Sequence, residues 1–197
     1  GLLYQIGYFT QTIDSQGIQQ VAQTRTYPHD LPVVPTLTEA GKHLTLEIEF
    51  PGRTLHLRVW TAQAGHIKLY LLDTNLPTNS VQDRAITHQL YGGDKEMRLQ
   101  QELVLGIGGV RALRALGLRP TVWHINEGHA AFQILERCRE HISAGMAFDS
   151  AIELVAAGTA FTTHTPVPAG HDVFHQDVMR NYFSGFVQQL GIPEKQF

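Results

Sequence analysis

Apolar and polar residues alternate with a period of two over residues 44–50 and again over 54–60, with Pro51-Gly52 between them. Such alternation turns one face of a strand to a core and the other to water, so a β-hairpin is predicted. Glu47, Glu49, His56 and Arg58 fall on or near its polar side. An earlier hairpin is predicted over the first 27 residues, from the aromatic and β-branched stretch 2–12 and the turn Asp14-Ser15-Gln16-Gly17. The apolar run 67–72 reads as a further strand and stops at the polar cluster Asp73-Thr74-Asn75. Beyond a loop the period changes to that of a helix. Leu99, Leu103, Ile107 and Val110 share one face, Asp94 is placed to cap the start, and Gly117 marks the end. Gly106, Gly108 and Gly109 lie inside this helix, where they predict close packing, because glycine lets another backbone approach. Their spacing is not the G-x-G-x-x-G of a dinucleotide loop.

The densest chemistry follows. Residues 122–125 read as a buried strand that ends at Asn126, Glu127 and His129, and a helical pattern through Ala131, Phe132, Leu135 and Cys138 resumes at once. This places Glu127 near a helix N-terminus, whose partial positive charge favours a carboxylate. Phe148, Ile152 and Val155 predict a second helix, and 159–163 a second strand that ends at His164 and Thr165. Strand, helices, strand implies a right-handed crossover between parallel strands. If the two strands are neighbours, their C-terminal ends bring Asn126, Glu127, His129 and His164 together, where open α/β sheets bind ligands. Phe174, Val178, Tyr182, Phe186 and Leu190 predict a last helix, which Asp172 is placed to cap.

Composition adds limits. With 43% apolar residues, the 197-residue chain can bury a sizeable core. A net charge of -3 gives no reason to expect nucleic acid or an acidic membrane surface. The single cysteine, Cys138, lies on an apolar helix stripe and suits a buried thiol in a reducing compartment. No run approaches the ~18 apolar residues of a membrane span, and no signal peptide is expected. The start in strand-like sequence without Met gives the expectation of a chain excised from a longer one. His124 reads as a hydrogen-bonded core residue, Trp60 and Trp123 as core packing, and Arg111 and Arg114 as a solvated helix face.

Three long motifs carry a resemblance. LYGGDKEMRLQQE (90–102), INEGH (125–129) and FTTHTPVPAGHD (161–172) resemble signatures of the α-glucan phosphorylases, in their shorter bacterial and archaeal form. The opening GLLYQIGYFTQ is similar too. Animal and plant members have Asn-Asp-Thr-His where this chain has Asn126-Glu127-Gly128-His129. The resemblance implies an α/β fold: part of the N-terminal, Rossmann-like domain of a glycosyltransferase-B enzyme, β-rich over 1–73 and α/β over 74–197, with a mostly parallel sheet. It implies a retaining cytoplasmic transferase that moves the terminal α-1,4-glucosyl unit of a glucan to inorganic phosphate. A homo-oligomeric parent is left open. Pyridoxal phosphate is the implied cofactor. None of Lys42, Lys68, Lys95 and Lys195 stands in the context of the family's cofactor lysine, so the chain is expected to be an inactive fragment by itself. Position by position, His164 matches the histidine beside the bond being cleaved. Asn126, Glu127, His129 and Thr165 match the polar groups that support it. Asp94, in Tyr91-Gly92-Gly93-Asp94, falls by the family's gate loop.

Two other readings stand beside this one. A non-catalytic glucan-binding module would use the aromatic-rich hairpins. A metallohydrolase would use His171 and His175, which flank Asp172 in a variant of H-E-x-x-H with Asp for Glu. No third ligand follows at a zinc-protease spacing, so no metal is expected.

Overall fold

The computed structural model describes residues 1–7, 9–90, 92–166, 172–193 and 195. It is mixed α/β. Strands β1 (Thr10–Ile13) and β2 (Gln19–Ala22) form the first hairpin, closed by Asp14, whose carboxylate accepts the backbone N–H groups of Gln16 and Ile18 at 2.9 Å. The predicted strand over 2–12 is shorter than the pattern suggested. Leu2 and Ile6 instead form bridges to Leu72 and Gln89.

The main sheet is antiparallel. β3 (Val33–Pro35) and β4 (Thr45–Phe50) share one edge of the long β5 (Arg53–Ala64), and β6 (Ile67–Asp73) pairs with the other. The alternation works as predicted. Leu55, Leu57 and Val59 are fully buried, while Glu47 and Glu49 are exposed and His56 and Arg58 half-buried. Asp73, in the polar cluster at the end of β6, is a fastening. Its Oδ2 accepts from Arg58 Nε at 2.7 Å and Trp60 Nε1 at 3.1 Å.

After the short helix α1 (Val81–Arg84) comes the long helix, which has three parts. α2 (Lys95–Leu103) is capped by Asp94, whose carboxylate accepts Met97 N–H at 2.9 Å. A π-helical turn (Val104–Gly108) follows, then α3 (Gly109–Ala115). The glycines pack closely where it matters. A Cβ on Gly106 would lie 2.8 Å from Gln133 N, and one on Gly108 would lie 2.8 Å from Leu57 Cδ1. Leu99, Leu103, Val104 and Ile107 meet the inner face of the sheet, and Tyr182, Phe183 and Val187 join that core.

The remaining elements are β7 (Trp123–Asn126), α4 (Gln133–Ser143), α5 (Phe148–Ala157), β8 (Thr159–Thr162) and α6 (Gln176–Leu190). α4, α5 and the end of α6 enclose a second core around Cys138, Ala151, Val155 and Leu190. Burial raises the Cys138 thiol above its ordinary range. β7 and β8 pair in parallel, in register from Trp123↔Thr159 to Asn126↔Thr162. Theirs is the only parallel ladder between named strands among the described residues, so the sheet structure is mainly antiparallel, not mostly parallel as expected. No helix among the described residues is long and apolar enough to cross a membrane.

Several side chains differ from expectation. His124 is exposed, though its ring Nε2 is 2.6 Å from Thr162 Oγ1. Trp60 and Trp123 are half-buried, and the guanidinium groups of Arg114 and Arg137 lie over the Trp123 ring. Arg111 and Arg114 are not a solvated face. Each makes an ion pair onto α4, with Glu136 and Glu140 respectively, both at 2.9 Å.

Candidate functional site

The parallel pairing of β7 and β8 brings two strand ends side by side. Glu127 N–H donates to Thr162 C=O at 2.9 Å, which continues the ladder one step past β7. The chain then turns sharply, with Glu127 at φ 55°, the left-handed region that a glutamate seldom adopts. α4 does not start here. Residues 128–132 form turns first, and the helix begins at Gln133. Glu127 therefore gains nothing from a helix dipole. Its Oε1 accepts the backbone N–H groups of His164 at 2.8 Å and Thr165 at 2.9 Å. These bonds, that of His164 first, outweigh the cost of burial and hold the carboxyl down at about 2. Oε2 is buried and has no hydrogen-bond partner among the described residues.

The His164 imidazole stands outside this anchor. Its side chain is 64% exposed, with Nδ1 3.4 Å from Glu127 Oε1. The site residues expected from sequence thus divide. Glu127, His164 and Thr165 are brought together by direct bonds. Asn126 ends β7 and is exposed. His129 turns instead toward α2, where Arg98 Nη2 lies 3.4 Å from its Nδ1. Asp94 is exposed at the start of α2, one turn before Arg98. Tyr91 and His171 lie outside the described residues.

Arg98, Glu102 and Asp172 were not singled out by sequence reasoning as parts of one site. Arg98 Nη2 donates to Asp172 Oδ2 at 2.9 Å, across 74 residues of chain. Asp172 therefore does not cap the last helix. A charged guanidinium is the stronger partner, and the cap falls to His175, whose Nδ1 accepts Asp177 N–H at 3.4 Å. α6 starts at Gln176, so residues 172–175 do not form the helix start on which a two-histidine metal motif depends. A different group could hold an ion by distance alone. One ligand atom each from Glu102, His129 and Asp172 lie within 4.8 Å of one another. There, however, Arg98 already supplies a positive charge. A cavity of about 170 Å³ adjoins these residues, lined by Arg98, Gln101, Glu102 and His129 on its polar side and Leu2, Leu90 and Leu105 on its apolar side. The available signal was the i, i+4 spacing of Arg98 and Glu102 on one helix face.

No family model matches the chain. It is 43% identical to the maltodextrin phosphorylase of Thermococcus litoralis over 197 residues, all of this chain and 24% of that protein. It is 43% identical to the glycogen phosphorylase of Mycobacterium tuberculosis over 190 residues, 92% of this chain and 22% of the relative. The glycogen phosphorylase of Aquifex aeolicus is 33% identical over 195 residues, 99% of this chain and 28% of the relative. The chain spans about a quarter of the length of these curated relatives. With similarity from end to end at such identity, the chain belongs, as a segment, to the maltodextrin and glycogen phosphorylase family.

Proposed function

We propose that this chain forms part of the catalytic cleft of an α-glucan phosphorylase. The parent enzyme transfers the terminal α-1,4-glucosyl unit of a glucan to inorganic phosphate and gives glucose 1-phosphate with retention. Residues 1–197 belong to one N-terminal, Rossmann-like domain of a glycosyltransferase-B architecture, in a cytoplasmic enzyme. One observation carries the site. A buried glutamate in a left-handed turn fastens the backbone of His164 and Thr165, and leaves the His164 ring exposed at the end of β8.

In this reading Glu127 is a positioning residue. Its two backbone hydrogen bonds fix the direction in which the chain leaves β8, and so fix where His164 stands. His164 is the catalytic residue of this segment. Its ring and main chain meet the sugar at the reacting carbon and favour the positive charge that develops there. Asn126 and Thr165 complete the polar wall, His129 links it to α2 through Arg98, and Asp94 caps the start of α2.

Pyridoxal phosphate, when bound, supplies the phosphate group that exchanges a proton with the substrate phosphate. A lysine that holds it as an imine is activated by burial or by neighbouring charge. Lys42, Lys68, Lys95 and Lys195 are all exposed, so they do not fit that task. The cofactor amine belongs to the rest of the parent polypeptide, and the isolated chain is inactive.

The test is phosphorolysis of maltodextrin by the full-length enzyme and its His164→Ala variant at saturating phosphate. The variant is expected to lose about 10²–10³ in kcat, the usual cost of one such electrostatic contact. A kcat within about threefold of wild type, with a raised KM for glucan, makes His164 a binding group only. Release of glucose 1-phosphate by the 197-residue chain alone, at a rate near that of the full-length enzyme, overturns the fragment reading.

A further inference from the structure

Two carboxylic acids meet beside His129, where α2 faces the chain that follows β8. Glu102 is 5% exposed, and its Oε1 is buried with no hydrogen-bond partner among the described residues. Its carboxyl lies with that of Asp172 and a ring nitrogen of His129, their closest ligand atoms all within 4.8 Å. The titratable and charged groups facing Glu102 are Asp172 from the chain after β8, Arg98 from α2, His129 from the turn after β7, and Tyr4, which lines the same cavity. Arg98 is bonded to Asp172. One guanidinium thus faces two carboxyl groups in a place that excludes water from one of them. Like charges this close in a buried setting do not both ionise.

We infer that Glu102 and Asp172 share a proton, with Glu102 as the acid that donates to Asp172, and that this clasp is a positioning device for the phosphorolytic site. Its geometry says what it fastens. Glu127 holds the chain leaving β8 at residues 164 and 165. The clasp holds the same connection at residue 172, against α2. The first anchor grips His164 itself and the second grips the chain eight residues further on. The surroundings of the two carboxyl groups push their pKa values in opposite directions. Burial first, and then the hydrogen bond with Asp172, push Glu102 up to about 8. Burial raises Asp172 as well, but the Arg98 guanidinium and the Glu102 hydrogen bond outweigh it and leave Asp172 below its ordinary value.

The positioning role rests on the phosphorylase reading, whereas the shared proton does not, and the experiment separates them. Infrared difference spectra of the full-length enzyme at pH 7 are expected to show a protonated carboxyl band that Glu102→Gln removes. The kcat for phosphorolysis is expected to fall about tenfold by one pH unit above the titration of Glu102, near pH 9. In Glu102→Gln, whose amide donates to Asp172 at every pH, the ratio of kcat at pH 7 to that at pH 9 falls to near one. Asp172→Asn, which removes the acceptor charge, shifts the alkaline limb to lower pH. Absence of the band in the wild type at pH 7 overturns the shared proton. Stoichiometric uptake of Zn²⁺ by the wild type that Glu102→Gln abolishes overturns it too, and makes the cluster a metal site. A band that is present while the two pH profiles superimpose overturns the positioning role alone. No glucose 1-phosphate from the full-length wild type at any pH sinks the phosphorylase reading and leaves the infrared result standing.

Discussion

Glu136 on the α3–α4 seam and Glu127 at the end of β7 are both buried carboxylates, but their oxygens are treated differently. Glu136 accepts four hydrogen bonds. Arg111 donates to Oε1 at 2.9 Å and Oε2 at 3.2 Å, and Arg139 to the same oxygens at 2.6 and 3.0 Å. Arg111 also donates to Glu47 C=O at 2.6 Å, which ties the helix seam to β4. Glu127 receives two backbone N–H groups at one oxygen, has only neutral hydroxyls, those of Thr163 and Thr165, to favour its charge further, and sits in a strained backbone conformation. A closed network of charged hydrogen bonds holds a fold rigid. Gln133 on α4 also has a buried oxygen without a partner among the described residues, so the difference lies in the backbone: Glu127 is held at φ 55°, and strain of that kind gathers at functional sites. The same chain therefore uses one residue type as a fastening in one region and, in the proposed function, as a site anchor in another.

The largest effect separates the two directly. Glu136→Ala leaves two guanidinium groups without their buried counter-charge, and is expected to cost about 3–5 kcal/mol of stability. Urea unfolding followed by circular dichroism measures it. A loss under about 1 kcal/mol, the range of exposed pairs, breaks the view of the seam as a fastening.

A smaller effect tests the seam by shape instead of charge. Gly106→Ala drives a Cβ against the Gln133 backbone and is expected to cost about 1–3 kcal/mol. Gly109→Ala, three residues on, meets nothing within 4 Å in a helical backbone and is expected to stabilise by about 0.5–1 kcal/mol. Equal effects at the two positions would mean that the contact of the π turn with α4 is loose.

The smallest effect on the folded state is expected at the site. Glu127→Gln keeps the shape and removes the charge. Because the folded Glu127 titrates near 2, below its ordinary value of 4.5, its contribution is present above about pH 4.5 and is lost as pH falls toward 2. The variant is expected to show a shallower acid loss of stability than the wild type across that window, from urea midpoints at stepped pH. At neutral pH it should destabilise less than Glu136→Ala, yet slow phosphorolysis by the full-length enzyme at least about tenfold. A variant that is as unstable as Glu136→Ala and unaltered in kcat per folded molecule would erase the distinction.

What could be read from sequence was local. Alternation over residues 44–60 gave β4 and β5 with the correct inner face, and Asp94 capped α2 as its residue type suggests. The crossover from β7 to β8 followed from element order, and adjacency of the strand ends brought Glu127 to His164. Contacts between distant elements were not readable in the same way. Arg98 meets Asp172, and Arg111 meets Glu136, only because separate elements settle against each other, and periodicity carries no record of that. The left-handed turn at Glu127 was hidden for another reason, since a glutamate gives no signal for positive φ. The late start of α4 followed from it, because a chain that turns so sharply needs several residues before a helix can begin.

The π-helical turn at Val104–Gly108 sets the phase of everything after it. A π turn carries one residue more than the α-helix it interrupts, and each residue of an α-helix advances the azimuth by about 100°. The face of α2 that carries Arg98 and Glu102 and the face of α3 that carries Arg111 and Arg114 are therefore clocked independently of a single regular helix. Deleting one residue between 104 and 108 would restore an unbroken α-helix and swing Arg111 away from Glu136, while α2 stayed in step with Asp172. The extra residue is the gear by which one helix serves the proposed clasp at its first half and a structural seam at its second.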